Sequence, residues 1–357
     1  MSHAGMTKPA GRNRLAVVLF NLGGPDNLRA VRPFLANLFS DPAILPMLAP
    51  VRWPLAYLMA ALRAPATRGF YRRIGGGSPL LKETEAQAQA LQKALSETAE
   101  AHVFVAMRYW HPMSEQVVRR VADFAPDRIV LLPLYPQYST TTTGSSLADW
   151  NRAARAAGLN VPTHALCCYP TYPGFIDAHV ARIEAVRHIE ADGDRFRILF
   201  SAHGLPKRVI AAGDPYQAQV EQTVQAIVSG LAPAPADWAI CYQSRVGPVA
   251  WIGPSIGDEI ARAGADGKPV MVVPIAFVSE HSETLYELDI FYREMAAACG
   301  VPDFVRVPTL GTEPAFIGAL ADLVSNANAL PGPGVETAIC PVERFACPRH
   351  ARAPATR

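Results

Sequence analysis

The chain has 357 residues, of which 50% are hydrophobic and 18% charged, with a formal net charge of +2. That apolar fraction excludes a disordered chain, and the near-neutral balance excludes a global basic field for nucleic acid. Its 32 prolines exclude a bundle of long unbroken helices, and six cysteines are too few for a disulfide scaffold.

The first fourteen residues are polar, with Lys8, Arg12 and Arg14 and no acid. The apolar run Leu15 to Phe20 is too short for an export signal and reads as a buried first strand. Residues 44–62 carry one charge, Arg52, and are long enough to span a bilayer. Pro46, Pro50 and Pro54 break them, leaving Leu55 to Leu62 as clean helix. This segment is either a core helix or an exposed apolar lip that touches a membrane or a greasy ligand.

Short β-branched runs predict strands at 15–20, 102–107, 128–134, 163–168, 196–201, 238–243, 270–276 and 304–308. Helical periodicity falls between them, at 79–96, 113–124, 145–157, 173–190, 216–231, 255–264, 282–298 and 313–328. The alternation predicts crossover βαβ units and an α/β fold of two Rossmann-like halves, each with a four-stranded parallel sheet flanked by helices. A single eight-stranded barrel is the competitor. The expected division is 14–190, with the apolar lip at 44–62, then 191–330, then an irregular Cys-containing tail at 331–357.

In such sheets ligands sit beyond the carboxyl ends of the strands. Those ends read NLGGP, RYWHP, YPQYSTTTTGSS, SAHGLP, YQSRVGP and SEHSETLYELD. His203 stands at one of them, before Gly204, and is either a metal ligand and base or an ordinary loop histidine. Glu280, Glu283 and Glu287 fall at i, i+3 and i+7, with His281 and Asp289 beside them. They form either a solvated acidic face or an acidic rail into a buried pocket. Arg108 and Tyr109 end the second strand. Arg63, Arg68, Arg72 and Arg73 surround Tyr71, ahead of Gly75-Gly76-Gly77-Ser78, a set suited to carboxylate or phosphate. Thr140 to Ser146 would bind an anion or cap a helix. The glycines fit neither nucleotide fingerprint, so no nucleotide is expected. Cys241 and Cys299 read as buried core cysteines.

Taken in order, NLGGP (21–25), YRRIGGGSP (71–79), RYWHP (108–112), YPQYSTTTTGSS (135–146), SAHGLP (201–206), GDPY (213–216), YQSRVGP (242–248) and VPIAFVSEHSETLYELD (273–289) resemble the ferrochelatase family. The resemblance implies an enzyme that inserts Fe(II), its substrate, into a porphyrin bound between two Rossmann-like halves. It implies that His203 and Glu283 form the metal and proton-transfer site, that Glu287 extends the rail, and that Arg108 and Tyr109 line the metal side. Arg63, Tyr71, Ser78 and Ser244 would contact the porphyrin, and the lip at 44–62 favours protoporphyrin IX over coproporphyrin III. The expected setting is cytoplasmic, with peripheral contact at the inner face of the membrane through 44–62. No feature sets an oligomeric state. Cluster-containing members share this tail but carry a third cysteine where Arg349 stands. A 2Fe–2S cluster on Cys167, Cys168, Cys340 and Cys347, with His350 as a further donor, and a tail without one both remain open. So do a coproporphyrin enzyme and a non-catalytic porphyrin carrier.

Overall fold

The computed structural model describes residues 14–97, 100–189, 195–245 and 247–329. The tail cysteines Cys340 and Cys347, with Arg349 and His350, lie outside the described residues.

Eight strands form two separate parallel sheets, which rules out the single barrel. The first holds β1 (Arg14–Asn21), β2 (Glu100–Met107), β3 (Arg128–Pro133) and β4 (Thr163–Ala165), in the order β2-β1-β3-β4. The second holds β5 (Arg197–His203), β6 (Trp238–Gln243), β7 (Val270–Pro274) and β8 (Phe304–Arg306), in the order β6-β5-β7-β8. The two sheets thus repeat one topology. The fourth strand is shorter than its apolar run: it pairs only with β3, and the pairing ends at Leu131 and Ala165. Cys167 and Cys168 therefore lie beyond it.

Each sheet is covered on both faces, as its continuous apolar strands require. Alternate residues of β1 enter different cores: Ala16, Val18 and Phe20 pack under α4 (Ser114–Phe124) and α5 (Ser145–Ala156). Leu15, Val17 and Leu19 join a larger core that also contains Ile198, Phe200, Met271 and Val273 of the second sheet. That core is filled from α3 (Leu80–Leu95), α6 (Pro173–Ile189), α8 (Tyr216–Gly230) and α11 (Pro314–Ala329). The last helix thus folds back onto α3, α6 and β3 of the first half. Each fully buried Val, Leu or Phe contributes about 1.5–3 kcal/mol, so this shared core holds the halves in one fixed relation.

Polar pins mark the same seam. Gln87 of α3 donates to the carbonyls of Val278 (2.8 Å) and Gly311 (2.9 Å) and accepts from Ser279 Oγ (2.9 Å). The hydroxyl-rich segment after β3 forms a short π-helix, π1 (Thr140–Gly144). The anion at its entry is Asp214 of the second half. It accepts from Thr140 N (2.8 Å), Thr140 Oγ1 (2.7 Å), Ser139 Oγ (3.0 Å) and Tyr216 N (3.0 Å).

The structure departs from expectation in three ways. Helix α1 (Val31–Phe39) and the short α7 (Lys207–Ala211) were not anticipated. The lip segment is not broken by its prolines: α2 (Ala49–Arg73) runs for 25 residues. Pro50 occupies the first turn, where the missing N–H has no intrahelical partner anyway. Pro54 and Pro65 lie on the exposed side, where water can bond the freed carbonyls. The opposite side presents Ala56, Ala60 and Ala64 to α1, small enough for close approach. The third departure is the expected helix 282–298. It begins as a ten-residue π-helix, π2 (Glu283–Tyr292), and only then becomes α10 (Arg293–Ala298).

Candidate active site

The site is assembled where β5 and β6 end. His203 and Gln243 are register partners on these neighbouring strands. Gly204 then turns directly over β6, its N–H donating to the Gln243 carbonyl at 2.8 Å. A Cβ at Gly204 would lie 2.8 Å from that same oxygen, so only glycine fits the turn. Next comes Ser244, held at a φ of 62°, in the left-handed region. A non-glycine residue there stores strain and persists only where its surroundings enforce it. The enforcing contact is Ser244 Oγ, which donates to Glu287 Oε2 at 2.6 Å.

The acids arrive on π2. Its i→i+5 hydrogen bonds put an extra residue into each turn, so side chains four apart share a face. Glu283 and Glu287 are four apart, and Glu280 precedes the helix. This corrects the reading of one i, i+3, i+7 acidic face. Glu280 instead accepts from Arg306 Nη1 (2.9 Å) and from Thr309 N and Oγ1 (both 3.1 Å). Asp289 grips the same guanidinium at 2.6 and 2.8 Å. Those two acids clamp the helix to β8, and only Glu283 and Glu287 remain for chemistry.

His281, part of that stretch but without an assigned role, completes the site. Its Nδ1 lies 3.1 Å from the Ser279 carbonyl, which can only accept, so Nδ1 carries a proton. Its Nε2 therefore faces Glu283 Oε2, 3.3 Å away. Ser282 Oγ donates to the same carboxylate at 2.6 Å. Burial pushes Glu283 upward, but His281, His203 and Ser282 together hold its carboxyl below the usual value. Burial lowers His203, with Glu283 opposing and His281 assisting, so its imidazole is neutral near pH 7. Glu287 goes the other way: burial and the Glu283 charge push it up to about 7, against the Ser244 and Gln243 donors.

The end of α2 forms a further wall. Tyr71 OH donates to Ser282 Oγ at 3.4 Å, and Phe70 stacks on Tyr286 with centroids 4.5 Å apart. Burial raises the Tyr71 phenol, which stays protonated. Ser78 closes against Gly24, where a Cβ would meet Ser78 Oγ at 2.5 Å and come within 3.9 Å of Tyr71 OH. His203, Glu283, Glu287, Ser244, Tyr71 and Ser78 thus form one connected region.

Three expected residues lie apart. Tyr109, anticipated on the metal side, has no exposed surface. Its OH donates to Asp41 Oδ2 at 2.7 Å, and Arg108 donates to the same atom at 2.9 Å and to Ser145 Oγ at 2.7 Å. Ser145 also donates to Asp41. Tyr109 is therefore corrected from a lining residue to a brace. Arg63 lies on the exposed side of α2, its guanidinium 5.7 Å from the Phe39 ring centroid. Beyond the lip's inner stripe, Leu48, Val51, Trp53, Tyr57, Leu58 and Leu62 are exposed, and Ala49, Pro50, Trp53, Pro54 and Tyr57 line a shallow groove. No helix among the described residues is long and apolar enough to cross a membrane.

Cys167 and Cys168 are buried with Tyr138, their sulfurs 3.1 Å apart, and Gln219 Nε2 donates to Cys168 at 3.5 Å. Cys241 is fully buried, and Cys299 is only partly so. Among the described residues, no group of three or more His, Cys, Asp or Glu side chains is arranged to hold a metal. The site offers an imidazole and a carboxylate in an open setting, which suits a metal that must leave again.

Comparison with known proteins agrees with this chemistry. The family model described as ferrochelatase matches residues 14–328. A ferrochelatase of Caulobacter vibrioides is 52% identical over 330 residues, covering 92% of this chain and 94% of its own. One of Phenylobacterium zucineum is 54% identical over 312 residues, covering 87% of this chain and 90% of its own. Among solved structures, SirB from Bacillus subtilis with Fe3+ aligns with a TM-score of 0.54 at 12% identity, covering 89% of this chain and 96% of that one. At that identity the likeness concerns the fold alone, and it is the same pairing of two Rossmann-like halves. Relatives sharing half of all positions along nearly the whole chain settle the family: this chain belongs to the ferrochelatases.

Proposed function

We propose that the chain inserts Fe(II) into protoporphyrin IX to form protohaem, releasing two protons, in the cytoplasm. The observation that carries this reading is His203, His281, Glu283 and Glu287 gathered beyond the ends of β5 and β6, with burial lowering His203 and raising Glu287, at the foot of a helix with an exposed apolar side. Metallation must strip two protons from pyrrole nitrogens and deliver a cation to the same atoms. His203 has a free lone pair and takes the first proton, and the adjacent Glu283 carboxylate stabilises the imidazolium that results. Glu283, held anionic, is the oxygen donor for incoming Fe(II). Glu287 Oε1 accepts a proton, since its Oε2 is already occupied by two donors. A cleft fixed by the shared core favours a bent macrocycle over a planar one.

Tyr71 and Ser78 face the ring's polar edge, and Arg63 and the exposed side of α2 lie at the mouth. That side also supports peripheral membrane contact through 44–62. The division near residue 190 separates the two sheets, with α11 returning to the first half. A 2Fe–2S cluster would take sulfur from Cys167 and Cys168, which already sit side by side, and from Cys340 and Cys347. When bound it would supply a redox-active centre, and no step of metallation is assigned to it.

Anaerobic Fe(II) insertion, comparing protoporphyrin IX with coproporphyrin III and the native chain with His203→Ala, tests the proposal. Turnover of protoporphyrin and its near-complete loss in the variant are expected. A variant with most of its activity would remove His203 from the chemistry. Preference for coproporphyrin would overturn the substrate, and porphyrin binding without metallation would make the chain a carrier.

A further inference from the structure

One side chain in the site has no solvent access and both of its donors engaged, yet neither acid nor base chemistry of its own. Gln243 is fully buried at the end of β6. Its Nε2 donates both protons into π2, one to the Glu283 carbonyl at 2.8 Å and one to Glu287 Oε2 at 2.9 Å. Its Oε1 accepts from Ser201 Oγ at 2.8 Å, which keeps the NH2 end turned toward π2. Its backbone carbonyl anchors Gly204, the residue after His203.

We propose that Gln243 is a positioning residue for proton transfer: one amide fixes the first turn of π2, the carboxylate of Glu287 and the turn behind His203 relative to one another. The inference rests on the metallation chemistry proposed above and deepens it. The geometry explains why the amide must be whole. A π-helix is less well hydrogen-bonded than an α-helix, so its turn needs outside support. The Glu283 carbonyl lies at the start of that turn, and Glu287 is the next acid along its face. Tying both to one rigid amide sets the spacing between the two acids. Ser244 cannot do this alone, because it holds Glu287 only, from a strained backbone. Ser201 acts one step further back, by choosing which end of the amide meets the acids.

The role separates from a purely structural one by which constants move. Gln243→Met keeps the unbranched shape and buried volume but loses both donors. Assayed as the full chain with Zn(II) and protoporphyrin IX, it is expected to lose about 10- to 100-fold in kcat. KM for either substrate should change less than about 2-fold, and the solvent deuterium isotope effect on kcat should rise as proton transfer becomes limiting. Ser201→Ala, which touches neither acid, should lose about 3-fold with the same signature, and the double variant should be no worse than Gln243→Met. Ser201→Ala also covers the case in which Gln243→Met fails to fold. If the native chain metallates but kcat is unchanged in the variants, or falls together with a large rise in KM and no isotope effect, the positioning role is wrong. If the native chain itself inserts no metal, the functional reading fails, and this inference fails with it.

Discussion

The two halves repeat one strand order and even place a π-helix after the corresponding strand, yet use it in opposite ways. In the first half, π1 follows β3 and its donors are spent on Asp214 of the other half. The neighbouring strand end, Arg108-Tyr109, is likewise spent on Asp41. In the second half, π2 follows β7 and presents Glu283 and Glu287 to the ends of β5 and β6. One set of loops spends its donors on the buried carboxylates of Asp41 and Asp214. The other leaves a neutral imidazole and two acids facing each other. Shared topology places the loops, and the residues after each strand decide whether they brace or react.

The comparison is broken most forcefully on the reactive side. His203→Ala should lower kcat by about 100- to 10,000-fold, the usual span for a general base, with the melting temperature nearly unchanged. On the bracing side, Asp214→Ala should reverse that pattern. It strips the acceptor from four donors at the seam and should cost about 3 kcal/mol of stability, read by urea unfolding. Asp214→Asn should recover part of it.

The pH dependence sharpens the same contrast. Glu287, raised to about 7, is protonated below that pH and cannot accept a proton, so kcat should fall as pH drops through about 7. Stability carries the opposite sign for this group. Its folded value lies above its unfolded one, so the folded state binds the extra proton, and this contribution is lost as pH rises from about 4.5 to about 7. Glu283 is depressed, so its contribution is present above its unfolded value and is lost as pH falls through its folded value. Glu287→Gln should flatten the kcat profile near pH 7 and remove the first stability slope while leaving the second.

Most of the scaffold was legible because buried parallel strands are apolar on both faces, and each of the eight runs could be seen without knowing its partner. His203 and the acids were legible because polar residues directly after such runs stand out. The rest was hidden for identifiable reasons. The continuity of α2 depends on which side its prolines face, a tertiary fact. The split of the acidic stretch depends on a π-helical turn and on Arg306, 17 residues beyond Asp289, and α-helical periodicity misses both. His281 stood in plain view, but its tautomer comes from a carbonyl two residues away. Gln243 offered no signal except its place beside His203 in register, visible only once β5 and β6 are paired.

The smallest expected effect discriminates most finely between a bracing and a reacting loop. Tyr109→Phe removes one hydroxyl from the Asp41 cluster and leaves the ring in place. Asp41 Oδ2 keeps Arg108 and Ser145, and Oδ1 keeps the Ala43 N–H at 2.8 Å, so the carboxylate stays well supported. The loss should be about 1 kcal/mol of stability, the net value of one buried hydrogen bond. Both kcat and KM for porphyrin should stay within about 2-fold of the native chain, because a phenol with no exposed surface meets no substrate. A drop in kcat with stability intact would show that the Asp41 cluster opens during turnover and that the first half also reacts. A drop in stability alone would leave the chemistry with the second half, where the strand ends face Glu283 and Glu287 rather than a sealed carboxylate.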